Sequence, residues 1–222
     1  MKSKKILAVI PARKNSIRIK NKNTKKFNKK SLVEFSVQSS IKSKYITNTC
    51  ISSDCKRVHK ISKKYPVKFI SRPRSLSGGK IMPDAAMIHA VKSYKKKFDY
   101  VVMLQPTSPL RNTKHIDEAI TKIIKEKSDS LLSVFETHGF LWKRKNKEYV
   151  PENYKFSKRP RSQDLKQYQE NGAIYITKTK TLFKSKNRLG GKISIYKMSF
   201  WDSFDINTLE DFIKVEKIIR KN

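Results

Sequence analysis

The strongest constraint on this chain is a rhythm. Short apolar runs alternate with segments of helical period. The runs fall at residues 6–10, 48–52, 67–70, 100–104 and 130–135. Between them, residues 31–43, 54–64, 84–94 and 113–125 place apolar side chains three and four apart, as Ile116, Ile120 and Ile123 do. Strands that alternate with helices predict a largely parallel α/β sheet. Tyr100-Val101-Val102-Met103-Leu104 is apolar at every position, the pattern of a strand buried on both faces.

The rhythm breaks at Glu136. From there to Asn171 the chain is polar, basic and interrupted by proline. Loops beyond about 12–15 residues are uncommon in a compact domain unless they are functional. Strands resume at 173–177 and 193–198, and residues 207–221 close the chain as an amphipathic helix. The expectation is one domain over 1–222 with at most a small appendage.

Charge invites another reading. Lys and Arg number 52 against 18 Asp and Glu, a formal net charge of +34 in 222 residues. Such an excess suits nucleic acid. But the cations are spread along the chain, as solvated surface positions filled with lysine would be. No zinc-finger spacing, basic-zipper heptad or aromatic RNA-binding motif accompanies them. No run of about 18 apolar residues suggests a membrane span. The apolar run after Met1-Lys2-Ser3 is shorter than the roughly 7–15 residues of a signal peptide. Cys50 and Cys55 are too few for a disulfide framework, which points to a reducing compartment and hence the cytoplasm. His59, His89, His115 and His138 form no ligand-spaced set.

Ligands in open α/β sheets bind at the carboxyl ends of the strands. Four loops there are unusual. Pro11-Ala12-Arg13-Lys14-Asn15-Ser16-Ile17-Arg18, running on to Lys22-Asn23, is dense in cations and amide donors. It suits a polyphosphate, or is a solvated basic loop. It is neither a Walker A loop nor a dinucleotide fingerprint. Gln105-Pro106-Thr107-Ser108-Pro109-Leu110-Arg111 is stiffened by two prolines directly after the central strand. Arg159-Pro160-Arg161-Ser162-Gln163-Asp164 precedes Glu170-Asn171-Gly172-Ala173-Ile174-Tyr175, and its arginines suit a carboxylate or phosphate. The fourth loop, Trp201-Asp202-Ser203-Phe204-Asp205-Ile206-Asn207, belongs to a local concentration of acids. Asp205 and Asn207 offer oxygens to Mg²⁺, which takes few protein carboxylates when phosphates share it. Alternatively, either residue caps the last helix.

Together these loops resemble the acylneuraminate cytidylyltransferase family. Ile10-Pro11-Ala12-Arg13, Ser16, Ile19 and Lys22-Asn23 are similar to its I-P-A-R-x-x-S-x-x-I-x-x-K-N element. Gln105 to Arg111 is similar to Q-P-T-S-P-L-R, Arg159 to Asp164 to R-P-R-R-Q-D, Glu170 to Tyr175 to E-N-G-x-x-Y, and the end to S-x-D-I-D-T. The match runs in order over nearly the whole chain. There are departures: Asn207 stands where a second metal-binding Asp is usual, Lys14 where a small residue is, Ile17 where a basic residue is, Ser162 for the last Arg of R-P-R-R-Q-D, and Gly78-Gly79 where an acid is.

The resemblance implies a Rossmann-like, mostly parallel sheet of the nucleotide-sugar pyrophosphorylase type with a small dimerisation extension. It implies a nucleotidyltransferase that couples CTP to an acidic nine-carbon sugar, giving the CMP-sugar and pyrophosphate with Mg²⁺. It also implies a homodimer in which the segment around 137–170 reaches the neighbouring protomer. Arg13, Lys22 and Asp205 would be catalytic. Ala12, Arg13, Asn15, Ser16, Lys22, Asn23 and Arg72 would bind the nucleotide, with Arg72 reading the base. Gln105, Arg161, Asn171 and Tyr175 would bind the sugar, and Asp205 with Asn207 would hold the metal. The alternatives are CMP activation of legionaminate, pseudaminate or 3-deoxy-octulosonate, and, from another class, a basic nucleic-acid-binding protein on an α/β scaffold. No specific nucleic acid and no membrane is expected as a partner.

Overall fold

The computed structural model describes residues 4–14, 18–27, 29–79 and 81–221. The strands are β1 (Ile6–Pro11), β2 (Lys26–Phe27), β3 (Lys30–Ser31), β4 (Asn48–Ser53), β5 (Lys68–Ser71), β6 (Tyr100–Leu104), β7 (Ser130–Thr137), β8 (Trp142–Lys145), β9 (Glu148–Pro151), β10 (Gln167–Lys178) and β11 (Ile193–Lys197). The helices are α1 (Leu32–Ile41), α2 (Lys56–Ser62), α3 (Pro83–Lys92), α4 (Thr113–Lys125), α5 (Thr179–Ser185) and α6 (Leu209–Lys221).

Seven strands form one sheet in the order β11-β7-β10-β6-β1-β4-β5. Every neighbouring pair is parallel except those of β10, which runs antiparallel to both β6 and β7. The expected mostly parallel sheet is present. β10 is longer than the strand read at 173–177, because its outer half, Gln167 to Glu170, alternates polar residues against β7. α5 was not expected: its sequence is polar and it buries only Leu182.

Strand alternation divides the core between the two faces. Ile6, Ala8 and Ile10 of β1 pack with Val102, Leu104, Val33, Val37, Ile116 and Ile120 beneath α1 and α4. Leu7 and Val9 point the other way, toward Met87, Val101, Met103 and Leu182 beneath α3 and α5. α4 starts where the Asn112 side chain accepts the His115 amide at 3.1 Å, satisfying one of the free donors at its N-terminus.

Three features of this fold shape the edge where the parallel strands end. First, Ala12, Asp54, Arg72 and Gln105 each follow a parallel strand, so they emerge together. Secondly, Ile19, Leu32, Ile206, Phe212 and Val215 form a separate buried cluster. That cluster clamps the loop after β1 to the loop before α6, so two segments nearly 190 residues apart share one wall. Thirdly, the β10–β7 register shifts between Glu170 and Tyr175, with Gly172 at φ 72°. Bulges of this kind re-aim side chains beside active sites.

The long polar stretch is not a bare loop. β8 and β9 pair as an antiparallel hairpin within it. Leu141, Trp142, Tyr149 and Phe156 of this extension are exposed, the last two by 71% and 75%. Among the described residues no helix is long and apolar enough to cross a membrane. Cys50 and Cys55 are buried free thiols.

Candidate active site

Two cavities meet at this strand edge. The first, about 350 Å³, is lined by Arg13, Lys22, Asn23, Arg72 and Thr107 among others. The second, about 530 Å³, is lined by Phe135, Gln169, Glu170, Asn171, Tyr175 and Phe200 among others. Gln105, Asp205 and Asn207 line both. A larger groove of about 730 Å³ along α4 contains none of these residues.

The first cavity is cationic. Arg13 donates to the carbonyls of Gly78 and Gly79 at 3.4 and 3.2 Å, and Asn23 donates to the Arg13 carbonyl at 3.0 Å. Asn23 therefore shapes the loop that carries Arg13. Arg72 is buried and donates twice to Ser52, to its hydroxyl at 3.2 Å and its carbonyl at 2.6 Å. Burial lowers its pKa. Ala12 is wholly buried and donates its amide to Ser52, so its contribution is backbone geometry. Asn15 and Ser16 lie outside the described residues.

Lys22 sits where the two loops touch. Its ammonium donates to the Ile206 carbonyl at 2.7 Å. Burial lowers its pKa, the Asp205 charge opposes that, and Arg18 and Arg13 add to it. An ammonium surrounded by guanidinium groups gains most when an anion arrives.

Asp205 answers Lys22 across the junction. Burial pushes its carboxyl above the usual carboxylate range, against hydrogen bonding from Thr107 and Asn207 and the Lys22 charge. Its Oδ2 accepts from the Asn207 amide at 2.7 Å. Its Oδ1 is buried without a hydrogen bond of acceptable geometry among the described residues. A buried carboxylate oxygen left free suits a hard cation. Asn207 is differently placed: its Oδ1 already accepts from Arg18 at 2.9 Å. Asp202 is occupied elsewhere, accepting from Ser199 at 2.7 Å and lying 3.6 Å from His115. No group of three or more His, Cys, Asp or Glu gathers into a metal cluster among the described residues. The helix cap falls to neither Asp205 nor Asn207. Asp211 takes the Asn207 and Thr208 amides at 2.9 and 2.8 Å, and Thr208 takes the Asp211 amide at 3.3 Å.

Among the described residues no lysine or arginine lines the second cavity. Asn171 is fully engaged: its Oδ1 accepts from Ser133 and from the Ala173 amide, and its Nδ2 donates to Ser203. Tyr175 donates to Glu170, and the Arg188 guanidinium lies 4.7 Å over its ring. The Gln105 side chain packs against Gly172, where a Cβ would sit 3.7 Å away. Arg161 is not brought in: it is exposed and paired with Asp164 at 2.8 Å.

The profile of the cytidylyltransferase family matches residues 7–221. The chain belongs to the cytidylyltransferase family. An N-acylneuraminate cytidylyltransferase of Escherichia coli is 28% identical over 94% of this chain, but only 50% of that protein is covered. The chain thus spans about half the length of that relative. A pseudaminic acid cytidylyltransferase of Campylobacter jejuni is 30% identical, with 98% of this chain and 97% of that protein covered. A CMP:2-keto-3-deoxy-manno-octonic acid synthetase complexed with CTP superposes with a TM-score of 0.76 at 13% identity, over 98% of this chain and 99% of that one. That likeness shows a shared fold.

Three parts of this cytidylyltransferase-family site were not singled out from the sequence. In sequence Arg18 is one more cation of its loop, yet its guanidinium reaches the Asn207 side-chain oxygen. Phe135 and Phe200 carry no motif, Phe204 fills an unspecified position of one, and the three meet only in three dimensions. Arg111 closes the proline-rich loop from beneath. It is almost wholly buried and donates to the carbonyls of Gln105 and Ala173 at 3.1 and 3.0 Å and to the Ser36 hydroxyl at 2.7 Å. A signal for Arg111 existed in its place between two prolines and a helix cap.

Proposed function

We propose that this chain transfers CMP from CTP to an acidic nine-carbon sugar of the N-acylneuraminate kind, releasing pyrophosphate. Pseudaminate, legionaminate and 3-deoxy-octulosonate are the alternative sugars. The single observation that carries the reading is the junction: a cationic cavity and a cation-free one meet at Gln105, Asp205 and Asn207, with Lys22 beside them.

The cationic cavity takes the nucleotide. Arg13 leaves the Gly78 and Gly79 carbonyls for phosphate oxygens, which are better acceptors. Asn15 and Ser16 of the same loop supply further donors to the phosphates. Arg72 reads the pyrimidine edge from its fixed place on Ser52. The second cavity takes the sugar, with Gln105 bonded to it and Asn171 and Tyr175 shaping its wall. The anomeric hydroxyl oxygen forms a bond to the α-phosphorus as the bond to pyrophosphate breaks, and the hydroxyl proton is released to water. Catalysis here is positioning and charge neutralisation. Lys22, already desolvated, neutralises the α-phosphate as charge develops. Asp205 Oδ1 would hold Mg²⁺, which when bound offsets phosphate charge; Asn207 joins it only after releasing Arg18.

The chain works as a homodimer in the cytoplasm. The exposed aromatic residues of the extension support the dimer, since large apolar groups left in solvent mark interaction surfaces. The sugar carboxylate finds no cation in its own cavity, so the partner subunit's Arg161 meets it. A panel of acidic sugars, each with CTP, ATP, GTP and UTP, tests the reading through pyrophosphate release. Release that needs both CTP and an acidic sugar supports it; release without a sugar dependence overturns it.

A further inference from the structure

Arg188, in the loop between α5 and β11, lines neither cavity. Its backbone is pinned on both sides: the amide donates to Asp84 Oδ1 at 2.6 Å, and the carbonyl accepts from the Thr177 hydroxyl of β10. Its side chain is mostly buried. One guanidinium nitrogen lies 3.5 Å from Asp84 Oδ2 and makes no hydrogen bond of acceptable geometry among the described residues. Stability alone gives little reason for a buried cation with a nitrogen left short of a partner. What the guanidinium does have is a ring: it lies 4.7 Å over Tyr175.

Tyr175 passes that contact on. Its hydroxyl donates to Glu170, five residues earlier on β10. Along an unbroken strand, residues five apart are separated by about 16 Å and point to opposite faces. The bond exists because the β10–β7 register shifts between these two residues, and it ties the two ends of that bulge together. Asn171 and Gly172 lie inside the tied segment, and the Gln105 side chain packs against Gly172. Gln105, Glu170, Asn171, Gly172 and Tyr175 all line the second cavity.

Resting on the cytidylyltransferase reading above, we infer that Arg188 is a positioning residue for the sugar: through the Tyr175 ring and its bond to Glu170, it sets the bulge against which Gln105 is held. Position, and not net charge, is what reaches the cavity, because Asp84 stands beside the guanidinium and offsets it. Asp84 also follows Pro83, which lines the nucleotide cavity. The brace is therefore anchored beside the first cavity and acts on the second.

The test is kcat and both KM values with CTP and the best acidic sugar of the panel. Arg188→Met keeps the length of the side chain and loses the planar cation. It should raise the sugar KM about tenfold, the worth of a desolvated cation–π contact, and move the CTP KM by less than about twofold. Arg188→Lys should fall between Arg188→Met and the wild type, since an ammonium keeps the charge but not the plane. Tyr175→Phe keeps the ring and removes the bond to Glu170. It should raise the sugar KM by itself, and adding Arg188→Met to it should cost less than about twofold more, because the two residues act as one unit. If Arg188→Met fails to fold for want of a counter-charge to Asp84, Arg188→Met/Asp84→Asn takes its place in the same cycle, with the Asn oxygen still accepting the amide of residue 188. A sugar KM unmoved by the loss of Arg188, an equal rise in both KM values, or an undiminished penalty in the Tyr175→Phe background overturns the inference and leaves the transfer reaction standing. Absence of pyrophosphate release by the wild type with every acidic sugar overturns the parent reading itself.

Discussion

Arg18 and Asn207 are joined by a 2.9 Å hydrogen bond from guanidinium to amide oxygen, across 189 residues of sequence. The Asn207 amide nitrogen in turn donates to Asp205 at 2.7 Å. Together they make a relay that fixes one oxygen of Asp205, while the other, buried, makes no hydrogen bond of acceptable geometry among the described residues. Of the two side chains that the sequence offers to a metal, Asp205 and Asn207, it is Asn207 whose oxygen Arg18 holds.

This relay predicts non-additivity. Asn207→Asp alone places a carboxylate against Arg18, so its charge is largely spent on that pair. Removing Arg18 as well frees it. Apparent Mg²⁺ affinity should rise more in Arg18→Ala/Asn207→Asp than the single variants sum to, with a coupling of about 0.5–3 kcal/mol. Calorimetric titration of Mg²⁺ with a non-hydrolysable CTP analogue measures it. Strict additivity would show that the bond between Arg18 and Asn207 is inert.

Lys22→Ala should lower kcat by about a hundredfold or more, in the range seen when a donor to developing charge is removed. The pH dependence has two opposite signs. Burial lowers the Lys22 pKa from 10.5. On the proposed mechanism the protonated form is the one that works, so kcat/KM for CTP should fall as pH rises through the lowered value. Stability runs the other way. Between the lowered value and 10.5 the unfolded chain binds the proton that the folded one has released, so this group makes the fold more stable as pH rises there. Lys22→Arg should move the alkaline limb of activity upward. A limb that stays in place in Lys22→Arg would assign it to another group.

Arg111 is a structural strut under the active-site loop. Arg111→Ala removes the bonds to the Gln105 and Ala173 carbonyls and to the Ser36 hydroxyl, leaves a cavity in their place and should cost at least about 2 kcal/mol of stability. Arg111→Lys should recover little, because an ammonium cannot reproduce the planar fork. Urea denaturation of both variants checks this. Full stability of Arg111→Ala would mean that the loop holds itself.

Much of this was legible in sequence for a physical reason. β6 and α4 match the expected bounds because each has an unmixed pattern: five apolar residues in one case, an isoleucine stripe behind an Asn cap in the other. The loops carrying Arg13, Lys22, Gln105 and Asp205 were found because strand ends in such sheets converge. What was hidden depends on long-range geometry. The direction of β10 is set by its pairing with β6 and β7, and nothing in Gln167 to Lys178 states it. The hairpin of β8 and β9 lay inside a stretch whose polarity reads as loop. Thr208 and Asp211 as the real cap of α6 were masked by the more conspicuous Asp205 and Asn207 one turn earlier.

The +34 charge should not translate into specific nucleic-acid binding. At about 0.15 M salt the screening length is about 8 Å, which weakens cations spread over a surface. Binding to duplex DNA should be weak, without sequence preference, and steeply salt-dependent. Sub-micromolar, sequence-selective binding at that salt would give the charge a different purpose.

The central claim is that CMP, and not phosphate or pyrophosphate, leaves CTP for the sugar. CTP labelled at the α-phosphorus, incubated with Mg²⁺ and the best sugar of the panel, follows that phosphorus directly. The account predicts that the label appears in a sugar conjugate, one for each pyrophosphate released, and that Lys22→Ala slows both together. Label recovered as CDP, or as free CMP at a rate indifferent to the sugar, would contradict it.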